Sequence, residues 1–226
     1  MIIAGFDLET TGFDGCKDHI VQSSFQIWDN DSQILNETTL VNPTVSIPNS
    51  HIHGISDDMV IDSPKEIDVV KSVDSLFRAC FVDSIPVVIM NAAFDVTFYN
   101  NVIRHQYGMD TQASYCLIDP MIIDKEFDKY RSGKRKLENL AQFYEVKSDE
   151  TFHNAEYDVK IAIQIARKML NKFDLHMPFS TLHDRQEIWY NQQQQSLYDY
   201  FISTNNPAAS SVATGWPINT ELLYRQ

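Results

Sequence analysis

The order of its segments constrains this chain most. Three stretches with strand character open it: residues 1–8, 19–28 (HIVQSSFQIW) and 33–41 (QILNETTLV). In the first, Ile2, Ala4, Phe6 and Leu8 share one face of a pleat of period two. Ile3, Gly5 and Asp7 share the other, and Glu9 follows at the same parity. Thr10, Thr11 and Gly12 then interrupt the strand, and Asp29-Asn30-Asp31 predicts a hairpin-like turn between the second and third stretches. Residues 42–64, with Pro43, Pro48, Gly54 and Pro64, read as loop. Helices are predicted over 65–81, 95–107, 136–145 and 155–171, and short buried strands over 86–91 and 114–119. The resulting order, β-β-β-α-β-α-β-α-α, predicts an α/β fold: a mixed sheet with helices packed on it.

The chain has 226 residues, 43% of them hydrophobic, enough for a sizeable core. Eighteen Lys and Arg against 31 Asp and Glu give a net charge of −13. A chain this acidic binds nucleic acid poorly on charge alone, so it would need a local basic patch, metal ions at the contact or a partner. Cys16, Cys80 and Cys116 are odd in number and form no CxxC pair, which argues against a disulfide scaffold or a cysteine zinc site and predicts a reducing, cytoplasmic setting. The opening MIIAGFDLETTG lacks the basic start of a signal peptide, and no apolar run reaches the length of a membrane span. After about residue 172 the composition changes. Gln192–Gln195 form a glutamine tract inside a predicted helix of about 183–203, and NNPAASSVATGWP reads as loop. The expected organisation is a main domain over 1–171 and a C-terminal helical and loop appendage over 172–226.

Three groups of residues carry chemistry. Asp7 and Glu9 lie on one face of the first strand, ~7 Å apart along it, at the end where open α/β sheets place ligand crevices. Asp95 follows the apolar strand 86–91 near the start of a helix. In HNAEYD (153–158), Asn154 suits a helix cap, and Asp158 joins the stripe of Ala155, Ala162, Ile165, Ala166 and Met169. Each has an ordinary reading by itself: two solvated acids, an acid favoured by a helix dipole, and a histidine on the surface. Together they are four carboxylates, each at a strand end or helix start, and one His. All-oxygen ligands suit two Mg²⁺ or Mn²⁺ ions, which can clamp both oxygens of an in-line phosphoryl displacement. His153 is then the candidate general base.

In this order FDLETTG, NAAFD and HNAEYD resemble the three motifs of the DEDD 3′→5′ exonucleases. His153 and Asp158, in a His-x₄-Asp spacing, are similar to the histidine branch, DEDDh; the tyrosine branch would want Tyr at position 154. IHGISDDMV (52–60) and GKRKLENLAQFYEV (133–146) are similar to segments of the proofreading epsilon subunits of bacterial DNA polymerase III. The resemblance covers about residues 1–171. It implies a ribonuclease-H-like fold with a mixed five-stranded sheet flanked by helices. It implies that Asp7, Glu9 and Asp158 hold one metal ion, that Asp7 bridges to a second, and that Asp95 completes the cluster. His153 would deprotonate the attacking water. Thr10, Thr11 and Gly12 would line the terminal nucleotide, with His53, Asn91 and Phe94 as further substrate contacts. The implied product is a nucleoside 5′-monophosphate released from a 3′ end. Single-stranded or frayed DNA is the first expectation and RNA the second, because the catalytic motifs do not read the 2′-OH. A noncatalytic clamp or polymerase adaptor is the remaining alternative, and the filled acidic positions argue against it.

Two features bear on partners. Lys129, Arg131, Lys134, Arg135 and Lys136 place five of the 18 basic residues in eight positions, a candidate phosphate contact or a solvated loop. Gln194, Leu197, Tyr200 and Phe201 resemble a sliding-clamp-binding peptide, an apolar plug with a glutamine anchor. The spacing of Leu197, Tyr200 and Phe201 also predicts the buried face of an amphipathic helix.

Overall fold

The computed structural model describes residues 1–111, 114–147 and 154–219. The opening strands form as the alternation predicts: β1 (Ile2–Thr10), β2 (Ile20–Asp29) and β3 (Ser32–Leu40). The turn is two residues long, with Asn30 at a φ of 49°, the left-handed conformation that tight hairpins need. β1 pairs antiparallel with β2 from Ile2–Asp29 to Glu9–Gln22, and parallel with β4 (Val87–Val88), which pairs parallel with β5 (Leu117–Ile118). The sheet order is β3-β2-β1-β4-β5. Both β4 and β5 are shorter than the apolar runs that predict them, although hydrogen bonds from Ala4 to Pro86 and from Ile89 to Ile118 extend their pairing.

Two helical layers cover the sheet. On the Ala4–Phe6–Leu8 face lie α3 (Glu66–Val82) and α4 (Ala92–Asn101), around Phe25, Phe77 and Tyr99. Within the loop-rich stretch before them sit two single turns, α1 (Ser50–His53) and α2 (Asp57–Val60). On the opposite face lie α5 (Pro120–Phe127), α6 (Leu137–Phe143) and α7 (Ala155–Lys172), around Ile3, Val88, Ile118 and Ile163. The helix predicted at 95–107 begins three residues early, at Ala92, and its last part, Val102–Gln106, is wound as a π-helix. The sequence reading missed α5. Its signal is Asp119 as a capping residue followed by Pro120 at the first helical position.

After α7 the chain enters α8 (Phe179–Ser203), which closes the free edge of β5. His183 Nδ1 accepts from the Leu117 N–H (3.1 Å). The Gln186 amide accepts from the Asp119 N–H (2.7 Å) and donates to the Leu117 carbonyl (2.8 Å), as a neighbouring strand would. An edge strand in need of pairing is thus covered by side chains. Leu182, Gln186 and Tyr190 are buried, but no residue of α8 beyond Tyr190 is. The expected buried face of Leu197, Tyr200 and Phe201 is therefore not buried: Leu197 and Tyr200 are exposed, and Phe201 is only partly covered. A 3₁₀ turn (Pro207–Ser211) folds back, and Trp216 is buried against the His183 ring. The Asn219 N–H donates to Thr97 Oγ1 on α4 (2.8 Å). Among the described residues, no helix is long and apolar enough to cross a membrane.

Candidate active site

Asp7 and Glu9 point to the Ile3–Gly5 face of β1, the side covered by α7. Gly5 sets how closely that helix approaches. A Cβ there would lie 2.7 Å from Val159 Cγ1 and 2.9 Å from Ile163 Cδ1, so only a glycine admits the helix at this distance. Asp158 immediately precedes Val159, so the same approach brings its carboxylate to Asp7. The start of α7 is held to β2. Asn154 caps it, accepting from the N–H groups of Glu156 (3.0 Å) and Tyr157 (3.4 Å). Gln22 accepts from the Ala155 N–H (3.0 Å), and Gln26 donates to the Glu156 carbonyl (2.7 Å). As a result, one carboxylate oxygen from each of Asp7, Glu9 and Asp158 lies within 4.8 Å of the other two.

Asp95 joins this group from the first turn of α4 and is 4% exposed. Its placement depends on a residue the sequence reading did not single out, Asp119. This buried carboxylate accepts from Asn91 (3.2 Å) and Ala92 (2.9 Å) at the start of α4, and from Met121 (2.9 Å) at the start of α5. One side chain thus satisfies the free donors of two helix starts and fixes the turn at Asn91, which is left-handed (φ 61°).

The cluster is electrostatically unfavourable by itself. Burial, then the charges of Asp95, Asp158 and Glu9, hold the Asp7 carboxyl well above the usual carboxylate range. Burial and Asp158 push Glu9 up to about 7. Burial raises Asp95 too, with Asp119 and Glu9 adding to it, against hydrogen bonds that lower it. Hard oxygen donors crowded until Asp7, Glu9 and Asp95 resist ionisation suit a divalent cation, which would supply the missing positive charge. The donor set therefore fits Mg²⁺ or Mn²⁺.

The other predicted residues fall around this end of β1. Thr10 and Thr11 are buried and shape the following loop: Thr10 Oγ1 donates to the Gly12 carbonyl (2.6 Å), and Thr11 Oγ1 accepts the His19 N–H (2.9 Å). A Cβ on Gly12 would run into the Asp18 carboxylate. His53 lies 3.4 Å from Asn49, whose amide donates to the Thr10 carbonyl (2.8 Å), tying α1 to the strand end. Phe94 packs edge-on against Phe13 (6.2 Å), which is 83% exposed and which sequence reasoning missed. Its signal is its place directly after the ETTG turn. His153 lies outside the described residues. Of the basic run, Arg131 and Arg135 turn inward onto buried Asp124, whereas Lys129, Lys134 and Lys136 remain exposed.

Carboxylates gathered at the carboxyl ends of β1 and β4 of a mixed five-stranded sheet, between two helical layers, define the ribonuclease-H-like class of nuclease folds. The chain belongs to the exonuclease family RNase_T, whose profile matches residues 4–166. It is 30% identical over 170 residues to DNA polymerase III of the PolC type from Caldanaerobacter subterraneus, and 28% identical over 171 residues to that of Bacillus subtilis. These matches take in 74% and 73% of this chain, and the chain spans 11% of each relative's length. Among solved structures, Exonuclease X in complex with 5′ overhanging duplex DNA aligns with a TM-score of 0.55 at 20% identity, over 75% of this chain and 92% of that one. E. coli Exonuclease I in complex with a dA16 oligonucleotide aligns with a TM-score of 0.60 at 18% identity, over 76% and 41%.

Proposed function

We propose that the protein is a metal-dependent 3′→5′ exonuclease of the histidine branch, releasing nucleoside 5′-monophosphates from single-stranded or frayed DNA 3′ ends. The observation that carries this reading is the convergence of Asp7, Glu9 and Asp158 within 4.8 Å, with Asp95 buried beside them. Asp7, Glu9 and Asp158 would hold the cations, and Asp95 would complete the charge around them. Divalent cations bound there supply stabilisation of the attacking and leaving oxygens of an in-line displacement. His153 takes the proton of the attacking water. Thr10, Thr11 and Gly12 line the terminal nucleotide, with His53, Asn91 and Phe94 at its rim. The polymerase relatives support a proofreading-like role, in which a polymerase or sliding clamp is the partner.

A gel time course tests this on a 5′-labelled single-stranded DNA oligonucleotide and its RNA counterpart, with Mg²⁺, Mn²⁺ or chelator. The expected result is a metal-dependent ladder that shortens from the 3′ end and is absent for Asp7→Ala. Faster trimming of the RNA replaces DNA as the substrate. No cleavage of either with either metal overturns the reading.

A further inference from the structure

We propose that the groove between α5 and α8 holds the phosphodiester backbone of single-stranded nucleic acid, upstream of the 3′ end that lies at the acid cluster. This rests on the exonuclease reading above. The groove has a volume of about 610 Å³. One wall carries Lys125, Lys129 and Arg135 beside Glu126, with Arg135 also paired to Asp124 behind it. That is a local positive excess on a chain of net charge −13. Lys125 and Lys129 are in no ion pair among the described residues. Arg135 is anchored from behind by Asp124 (2.7 Å) and by the Asp128 and Lys129 carbonyls. Phosphates would supply counter-charge to Lys125 and Lys129.

The opposite wall gives the glutamine tract a role. Gln192, Gln193 and Gln194 line it, and Gln193 is fixed by donating to the Ile122 carbonyl (3.1 Å). Its Oε1 is buried without a hydrogen-bond partner. Amides in a row hydrogen-bond sugar, phosphate or base edges without demanding a sequence. At the rim, Tyr200 is 60% exposed and offers a face on which a base can stack. The groove and the site share a structural link: Asp119 accepts from the starts of both α4, which carries Asp95, and α5, which carries Lys125. Two lysines in no ion pair among the described residues and a row of amides suit a polyanion better than the apolar plug of a clamp-binding peptide.

The test is fluorescence anisotropy of the full chain in chelator with labelled dT12 and rU12, at several salt concentrations. It compares the wild type with Lys125→Glu/Lys129→Glu and with Lys129→Glu/Tyr200→Ala. The second pair alters only exposed positions and remains informative if the first does not fold. The expected result is a Kd raised about tenfold or more for each pair. For the double charge reversal, the slope of log K against log salt falls by about 1.4, the value for two lost phosphate contacts on a single strand. A larger effect with dT12 or with rU12 says which nucleic acid lies there. A Kd within twofold of wild type for the exposed pair overturns the proposal and leaves the groove to a protein partner. A wild type that binds neither oligonucleotide overturns it as well. Because this readout needs no cleavage, groove-dependent binding without metal-dependent trimming would leave the groove standing and remove the exonuclease reading.

Discussion

Two groups of buried acid stand about one helix apart and are treated in opposite ways. Asp124 on α5 is fully buried and surrounded by donors: Arg131 through Nε and Nη2, Arg135 through Nε at 2.7 Å, and the Tyr144 hydroxyl at 2.8 Å. Two guanidinium groups and a phenol satisfy its charge within the chain. Asp7, Glu9, Asp95 and Asp158 are instead gathered at the end of β1, where burial and one another's charge raise Asp7, Glu9 and Asp95. The chain evidently has the means to neutralise a buried acid, because it does so at Asp124. Among the described residues no arginine or lysine pairs with the larger cluster, and that is therefore a property of the site. The difference separates an acid that holds a loop in place from acids that wait for a cation.

The comparison breaks first at Asp7. Asp7→Asn should lower turnover about 10³-fold or more, about 4 kcal/mol of barrier. It should also leave the cation-free protein more stable, because it removes a repelling charge. A gain of about 1 kcal/mol would raise Tm by about 2–4 °C for a chain of this size. Calorimetry in chelator, beside the gel assay, checks both. A lower Tm for this variant would mean that Asp7 is structural in the sense that Asp124 is.

Asp124→Ala should behave in the reverse way. It strands two largely buried arginines and so should cost about 3–5 kcal/mol, lowering Tm by roughly 6–20 °C. Turnover at low temperature, where the variant is still folded, should stay within about threefold. Loss of turnover ahead of unfolding would place Asp124 among the functional acids and erase the distinction.

The two groups were not equally legible in the sequence. The alternation in residues 2–9 is enough to set β1, its faces and the two acids, since a period of two leaves Asp7 and Glu9 no choice of side. Asp158 follows from the apolar stripe of α7 in the same way. What the sequence does not carry is partnership across space. Arg131 and Arg135 read as free cations in a basic run, because nothing local says that an aspartate 7 and 11 residues upstream will claim them. Gln186 reads as one polar residue among many on α8. Its pairing with β5 exists only once the helix lies along that edge. Asp119 lay in between. Asp-Pro is a visible start for α5, but its second role, holding the entry to α4 under Asp95, depends on the two strand ends being neighbours. A cluster of like charge can be read from spacing, whereas a compensated charge requires the fold.

The smallest effect is the most diagnostic, because it needs no mutation. Glu9 rises from the ordinary glutamate range to about 7 in the folded chain, and Asp7 and Asp95 are raised too. A group with a raised folded pKa binds more protons folded than unfolded. Its contribution is complete below the unfolded value and is lost as pH rises through the folded one. Without a cation, the protein should therefore lose stability between about pH 4.5 and 7 as these carboxylates ionise against one another. Saturating Mn²⁺ should reverse this, since the ion binds the deprotonated acids and stabilises the folded state by mass action. Thermal melts at pH 5 and pH 7.5, in chelator and in Mn²⁺, should show a Tm that falls by a few degrees in the first series and much less in the second. A pH dependence that Mn²⁺ leaves unchanged would therefore locate the titrating acids elsewhere and remove the electrostatic ground for a cation at this site.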